Sequence, residues 1–156
     1  MRRLTVLLAA VLLLLFAGCN ARGGSEDPAL PEDPQPTAMM YATVNENKLE
    51  IKLADNLAVD ALVLRLQEGD ITFTASENGG FELYGSIGDP LPKNDENITA
   101  KAGDVLLYAG RYLCFFYGGN SYAYTRIGTV NDRTMSEVKS LLSAIRGSVQ
   151  VTLSLK

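Results

Sequence analysis

Tyr122, Tyr124 and Arg126 recur at every second position of the segment NSYAYTRIG. On a strand that spacing puts all three on one face, with Ala123, Thr125 and Ile127 on the other. A guanidinium beside tyrosine rings can hold a carboxylate or a peptide carbonyl, with the rings packed on the rest of the ligand. The same pattern also serves structure, since Arg126 paired with an acid such as Asp104 or Glu82 would fix a loop by charge-assisted hydrogen bonds. Tyr84, Tyr108, Phe116 and Tyr124 are the candidate lining of a pocket for an apolar or peptide ligand. Their competing use is to fill the core and its rim, with hydroxyls reaching water.

Other chemistry is thinly represented. The chain contains no histidine and no tryptophan. Histidine is the commonest metal ligand and the side chain that titrates near neutrality. Its absence excludes serine–histidine and cysteine–histidine nucleophile pairs and the usual zinc sites. Asp95 and Glu96, flanked by Asn94 and Asn97, offer oxygen ligands for calcium, yet the spacing matches no calcium loop and reads as a solvated turn. No acid is marked as buried and poised for proton transfer. Asn97-Ile98-Thr99 is a glycosylation sequon by pattern alone. No catalytic residue, metal or cofactor is expected. The formal net charge is −4, and an acidic surface repels phosphate backbones, so nucleic acid is not an expected partner.

The two cysteines divide between two tasks. Residues 1–19 read MRRLTVLLAAVLLLLFAGC. Arg2 and Arg3 precede an apolar run suited to a signal-peptide core and short for a spanning helix. Phe16-Ala17-Gly18-Cys19 resembles a bacterial lipobox, with Phe16 where leucine is preferred. That resemblance implies cleavage before Cys19 and a diacylglycerol thioether on its thiol. An ordinary secretory signal or an uncleaved anchor is the alternative. The other cysteine, Cys114, lies inside an apolar run and is expected to be a small core residue with no disulfide partner. Residues 20–38, NARGGSEDPALPEDPQPTA, are acidic and proline-rich. They are expected to form a disordered, semi-extended tether, with a proline-recognition ligand as the sharper alternative.

Residues 39–156 carry the periodicities of a folded domain. Met39 to Leu53 reads as a hairpin turning at Asn45-Glu46-Asn47, because Leu49, Ile51 and Leu53 alternate with Lys48, Glu50 and Lys52. A helix follows from about Asn56 to Gln67, with Asp55 or Asn56 as cap and Val59, Leu62, Val63 and Leu66 on one face. Strands are expected over Asp70–Ser76 and Phe81–Ile87, the second with Tyr84 opposite Phe81 and Leu83. Gly88 to Lys101 reads as a long polar loop. Three strands follow over Asp104–Tyr108, Tyr112–Tyr117 and Tyr122–Val130. Thr134-Met135-Ser136-Glu137 forms a capping box, ahead of a helix with Met135, Val138, Leu141, Leu142 and Ile145 on its apolar face. Gly147 ends it, and Val149, Val151, Leu153 and Leu155 mark a last alternating strand. About eight strands and two helices result, mainly β and antiparallel, and a closed barrel would remove exposed edges.

Leu83-Tyr84-Gly85, Leu91-Pro92, Ala102–Tyr108, Phe115-Phe116-Tyr117 and Tyr124–Gly128 together resemble the bacterial cyclophilin-like fold proteins. The resemblance spans about Met40 to Leu155. It implies a closed eight-stranded barrel with a helix at each open end. The prolyl isomerases of that shape use an arginine, a glutamine, a histidine and a tryptophan, and the last two are missing here. No catalytic residue carries over. The expected function is a non-catalytic barrel, lipid-anchored through Cys19 outside the cytoplasmic membrane (or in the periplasm of a cell with two membranes), that binds a peptide, small ligand or protein partner. A divergent peptidyl-prolyl isomerase and an assembly partner in a membrane-associated complex are the alternatives.

Replacing Cys19 by Ser is expected to abolish incorporation of labelled fatty acid and to shift the chain away from the acylated membrane fraction. Undiminished labelling of the variant would remove the lipobox reading.

Overall fold

The computed structural model describes residues 38–156, so the leader, Cys19 and nearly all of the tether lie outside the described residues. Chain order is β1 (Met39–Val44), β2 (Asn47–Leu53), α1 (Leu57–Glu68), β3 (Ile71–Asn78), β4 (Glu82–Ser86), β5 (Glu96–Ala100), β6 (Asp104–Tyr108), β7 (Tyr112–Phe116), β8 (Asn120–Val130), α2 (Met135–Ser143) and β9 (Ser148–Ser154). Every pairing is antiparallel. The sheet runs β2-β1-β9-β3-β4-β7-β6-β8, and β8 pairs back onto β2. Eight strands therefore close into a ring, as the family resemblance implied, and no ring strand is left with a free edge along its paired length.

The hairpin of β1 and β2 turns on two residues rather than three. Val44 faces Asn47, and Asn45 (φ 46°) and Glu46 (φ 69°) both occupy left-handed backbone. Two-residue hairpins of this kind match the right-handed twist of their strands. Asn45 tolerates the conformation readily, while Glu46 carries a steric cost on the order of 1 kcal/mol.

The helices bury one face each into the ring's single core. α1 contributes Ala58, Val59, Leu62 and Leu66; α2 contributes Val138 and Leu142. Asn56 caps α1, its Oδ1 accepting from the N–H groups of Ala58 and Val59 at 3.0 and 3.1 Å. The capping box of α2 is complete, with Thr134 and Glu137 each bonding the other's backbone. The β3–β9 register sets the helices at opposite ends: α1 enters where Ile71 faces Leu153, and α2 exits where Ser76 faces Ser148. One expected core residue of α2 is not buried, since Met135 in its first turn is exposed.

The expected polar loop over Gly88–Lys101 contains a ninth strand. β5 pairs with the first half of β8, Glu96 against Tyr124 through Ala100 against Asn120. β5 lies outside the ring. β8 is accordingly two residues longer at its start than its apolar pattern indicates. Its C-terminal half pairs with β6 and β2 in the ring, and its N-terminal half leaves the ring with β5. An irregularity marks the change: Val105 faces Gly128 but Leu106 faces Arg126, which leaves Ile127 as an extra residue on β8.

Ring closure rests on a close approach of β2 and β8. Gly128 faces Leu53, and a Cβ at Gly128 would strike the backbone carbonyl oxygen of Lys52 and crowd Ile51 Cγ2. Backbone at a paired strand cannot move aside cheaply. Gly128→Ala gains back roughly 0.5–1 kcal/mol of chain-entropy cost, and the overpacking costs typically about 1–3 kcal/mol. Gly128→Ala is therefore expected to lower stability in urea denaturation by about 1–2 kcal/mol net. An unchanged midpoint would show that the seam is looser than its geometry.

Candidate functional site

The ring strands bury both faces over part of their length. Val105, Leu107, Leu113 and Phe115 point into the ring core, while Leu106, Cys114 and Phe116 alternate with them and form a second buried cluster with Ile98, Ala100 and Tyr124. β5 and the outer half of β8 supply the cover for this second cluster. That is why DVLLY and LCFF read as unbroken apolar runs rather than alternating ones.

Cover is incomplete, and a cavity of about 340 Å³ opens between the β5–β8 ribbon and the outer face of β4, β7 and β6. Tyr84, Tyr108, Tyr122 and Tyr124 line it together with Glu82 and Cys114. Tyr108 is the hub of the aromatic wall. Its ring centroid lies 6.2 Å from Tyr112, 5.7 Å from Tyr122 and 6.2 Å from Tyr124, the last two edge-on. Such arrangements bring positive ring edges onto negative faces. Tyr108 and Tyr122 are exposed and form the rim, whereas Tyr124 is buried. The Tyr124 hydroxyl accepts from Asn120 Nδ2 at 2.7 Å. Burial, and after it the nearby charge of Glu82, pushes the Tyr124 hydroxyl pKa above the ordinary tyrosine value, against the lowering effect of the Asn120 bond.

The five residues singled out in the sequence fall in three places. Tyr84, Tyr108 and Tyr124 line the cavity. Phe116 sits behind the wall, fully buried, with its ring edge-on to Tyr124 at 5.4 Å and stacked on Phe81 at 6.2 Å. Phe81 thus joins the same cluster as Tyr84 rather than the opposite face, because β4 begins only at Glu82 and Phe81 belongs to the preceding turn. Arg126 does not line the cavity. Its Nη1 lies 3.4 Å from Asp104 Oδ1, and the other oxygen of this buried carboxylate accepts from the Lys101 N–H at 3.0 Å. The two acids weighed as partners for Arg126 are thereby separated: Asp104 takes it and Glu82 does not.

Asp95 is also engaged structurally. It accepts from the Thr125 hydroxyl at 2.7 Å and pairs with Lys93 at 3.4 Å, while Thr125 Oγ1 accepts the Asn94 N–H at 2.9 Å. Glu96 opens β5. Among the described residues no cluster of three or more acids or cysteines could hold a metal ion.

Glu82 is the residue that spacing did not reveal. It stands at the start of a strand among polar turn residues, where a glutamate is normally solvated. In the fold it is only 5% exposed. Asn78, directly across the β3–β4 pair, donates to its Oε1 at 2.8 Å. Its Oε2 has no hydrogen-bond partner among the described residues. The Cys114 thiol lies against this carboxylate and bonds weakly to it, while its sulfur also lies 3.7 Å from the Tyr112 carbonyl oxygen. A thiol is a weak donor that cannot replace an N–H on a carboxylate. Burial first, and the adjacent Glu82 second, push the Cys114 pKa far above the ordinary thiol range. The thiolate is the nucleophilic form, so Cys114 is a wall and not a reagent.

A family model described as the cyclophilin-like family matches residues 42–154. No curated protein matches the sequence. Among solved structures, the solution structure of a hypothetical protein from Archaeoglobus fulgidus is similar, with a TM-score of 0.60. That alignment covers 80% of this chain and 99% of the other, at 17% identity, and it bears on the fold alone.

In the native protein Cys114 is expected to resist iodoacetamide at pH 8 and to alkylate only on unfolding, as followed by peptide mapping. Alkylation of the folded chain at the rate of a free thiol would contradict its placement.

Proposed function

The chain belongs to the cyclophilin-like family, and on that footing we propose that it is a non-catalytic binding module, lipid-tethered through Cys19, whose barrel holds a small ligand or a peptide side chain outside the cytoplasmic membrane. The observation that carries the binding reading is the cavity between the β5–β8 ribbon and the ring. Its size falls within the range of ligand sites, and it combines aromatic walls with the polar groups of Asn78, Glu82 and Asn120. Its rim tyrosines present apolar faces with little rotamer freedom to lose, which favours contact with a ligand.

Catalysis has less support. The histidine and tryptophan of the prolyl isomerase site are absent from the sequence. The one cysteine of the domain is held protonated by burial and by Glu82. Arg126, the residue best suited to hold a peptide carbonyl, pairs with Asp104 away from the cavity. The anchoring part of the proposal rests on the lipobox-like leader. Among the described residues no helix is long and apolar enough to cross a membrane.

The test is a thermal-shift screen of the full chain against small aromatic compounds of positive, neutral and negative charge, together with aromatic peptides. A ligand present at a hundred times its Kd is expected to add about 2.7 kcal/mol to stability, and Tyr108→Ala at the rim should weaken the response. If no compound of any charge moved the melting temperature, the binding reading would fall.

A further inference from the structure

We propose that the cavity selects a ligand carrying a protonated primary or secondary amine, its N–H directed at Glu82 Oε2 and its carbon skeleton held by Tyr84, Tyr108 and Tyr124. The inference rests on the binding reading above and assigns the chemical class of what is bound.

Three observations converge on it. Glu82 is only 5% exposed, and one of its oxygens has no hydrogen-bond donor among the described residues. A buried carboxylate oxygen without a partner is costly, and domains seldom retain one without a use. Second, the walls offer this carboxylate no cation: the Cys114 thiol beside it is only a weak donor, no lysine or arginine lines the cavity, and Arg126 pairs with Asp104 instead. The charge of Glu82 is felt by Tyr124 and Cys114 on the walls. A site with that bias attracts a cation and repels an anion. Third, the walls themselves suit a cation, because tyrosine faces carry the negative lobe of the ring quadrupole.

The orphan oxygen decides between kinds of cation. A metal ion would need several oxygen ligands, and Glu82 is the only acid on the walls. A quaternary ammonium would enjoy the rings but bring no hydrogen for Oε2. An amine with at least one N–H satisfies both. The cavity volume, about 340 Å³, admits a small aralkylamine or the end of a lysine side chain. These two sources share one chemistry, the alkylammonium group.

Calorimetric titration of the full chain separates the outcomes. The probes are benzylammonium, its neutral isostere benzyl alcohol, benzyltrimethylammonium, and the capped tripeptide acetyl-Gly-Lys-Gly-amide. Benzylammonium is expected to bind roughly ten- to a hundredfold more tightly than benzyl alcohol, the range for a hydrogen bond to a charged group. Benzyltrimethylammonium should fall between them. Glu82→Gln should erase the preference for the ammonium while leaving benzyl alcohol unaffected. Tighter binding of the tripeptide than of benzylammonium would assign the lysine of a peptide as the natural source, and the reverse would assign a free amine. Benzyl alcohol binding as well as benzylammonium would overturn the amine assignment and leave the binding module standing. Should Glu82→Gln fail to fold, the comparison of isosteres on the unaltered chain decides the matter alone.

Discussion

Strand β8 is longer than the ring requires, and the character of the domain follows from that length. Its inner half closes the ring against β2 and β6, at a seam where only glycine fits beside Lys52. Its outer half continues past the last ring pairing and carries β5 with it. A strand of 11 residues cannot lie flat against a closed ring along its whole length. The extra residue at Ile127 marks where its register changes. From there outward, the β5–β8 ribbon covers the outside of β6 and β7. A second apolar cluster, and the cavity at its margin, exist because of that cover.

Two buried carboxylates show how differently one fold can treat the same group. Asp104 is enclosed and satisfied, with an arginine on one oxygen and a backbone N–H on the other. Glu82 is equally enclosed and only half satisfied. Inside a protein, hydrogen bonds and unmet charges both count for more than at the surface. Asp104 accordingly pins the start of β6 to β8, a structural role. Glu82 instead faces the tyrosine-lined cavity with one oxygen unpaired.

Much of this was legible in the residues. The hairpin, both helices with their caps, and the closing strand follow directly from period and capping chemistry. The aromatic wall was legible too, in Tyr84, Tyr108 and Tyr124. β5 was not, because Glu96-Asn97-Ile98-Thr99-Ala100 is short and polar and buries only Ile98 and Ala100. Its strand character comes from the edge that β8 offers and not from its own propensity. Glu82 was hidden for a related reason. Sequence pattern reports which face of a strand is apolar, and a lone acid on a face buried by a distant ribbon leaves no periodic trace. Arg126 was ambiguous in the sequence because Asp104 and Glu82 were both plausible partners, and only the packing of β6 against β8 separates them.

The register also governs when the molecule can come into being. β1 is flanked by β2 and by β9, the last of the described strands, so Tyr41 waits for Ser154. β3 depends on the same strand, Ile71 facing Leu153. A chain emerging from its N-terminus can form the β1–β2 and β6–β7 hairpins early, since their partners are neighbours in sequence. The ring itself stays open until β9 is free. Contacts of such long sequence separation slow folding. Until β9 arrives, β1 and β3 each present an unpaired edge, and the nascent chain is most open to wrong partners at that stage. Strand β9 completes the fold.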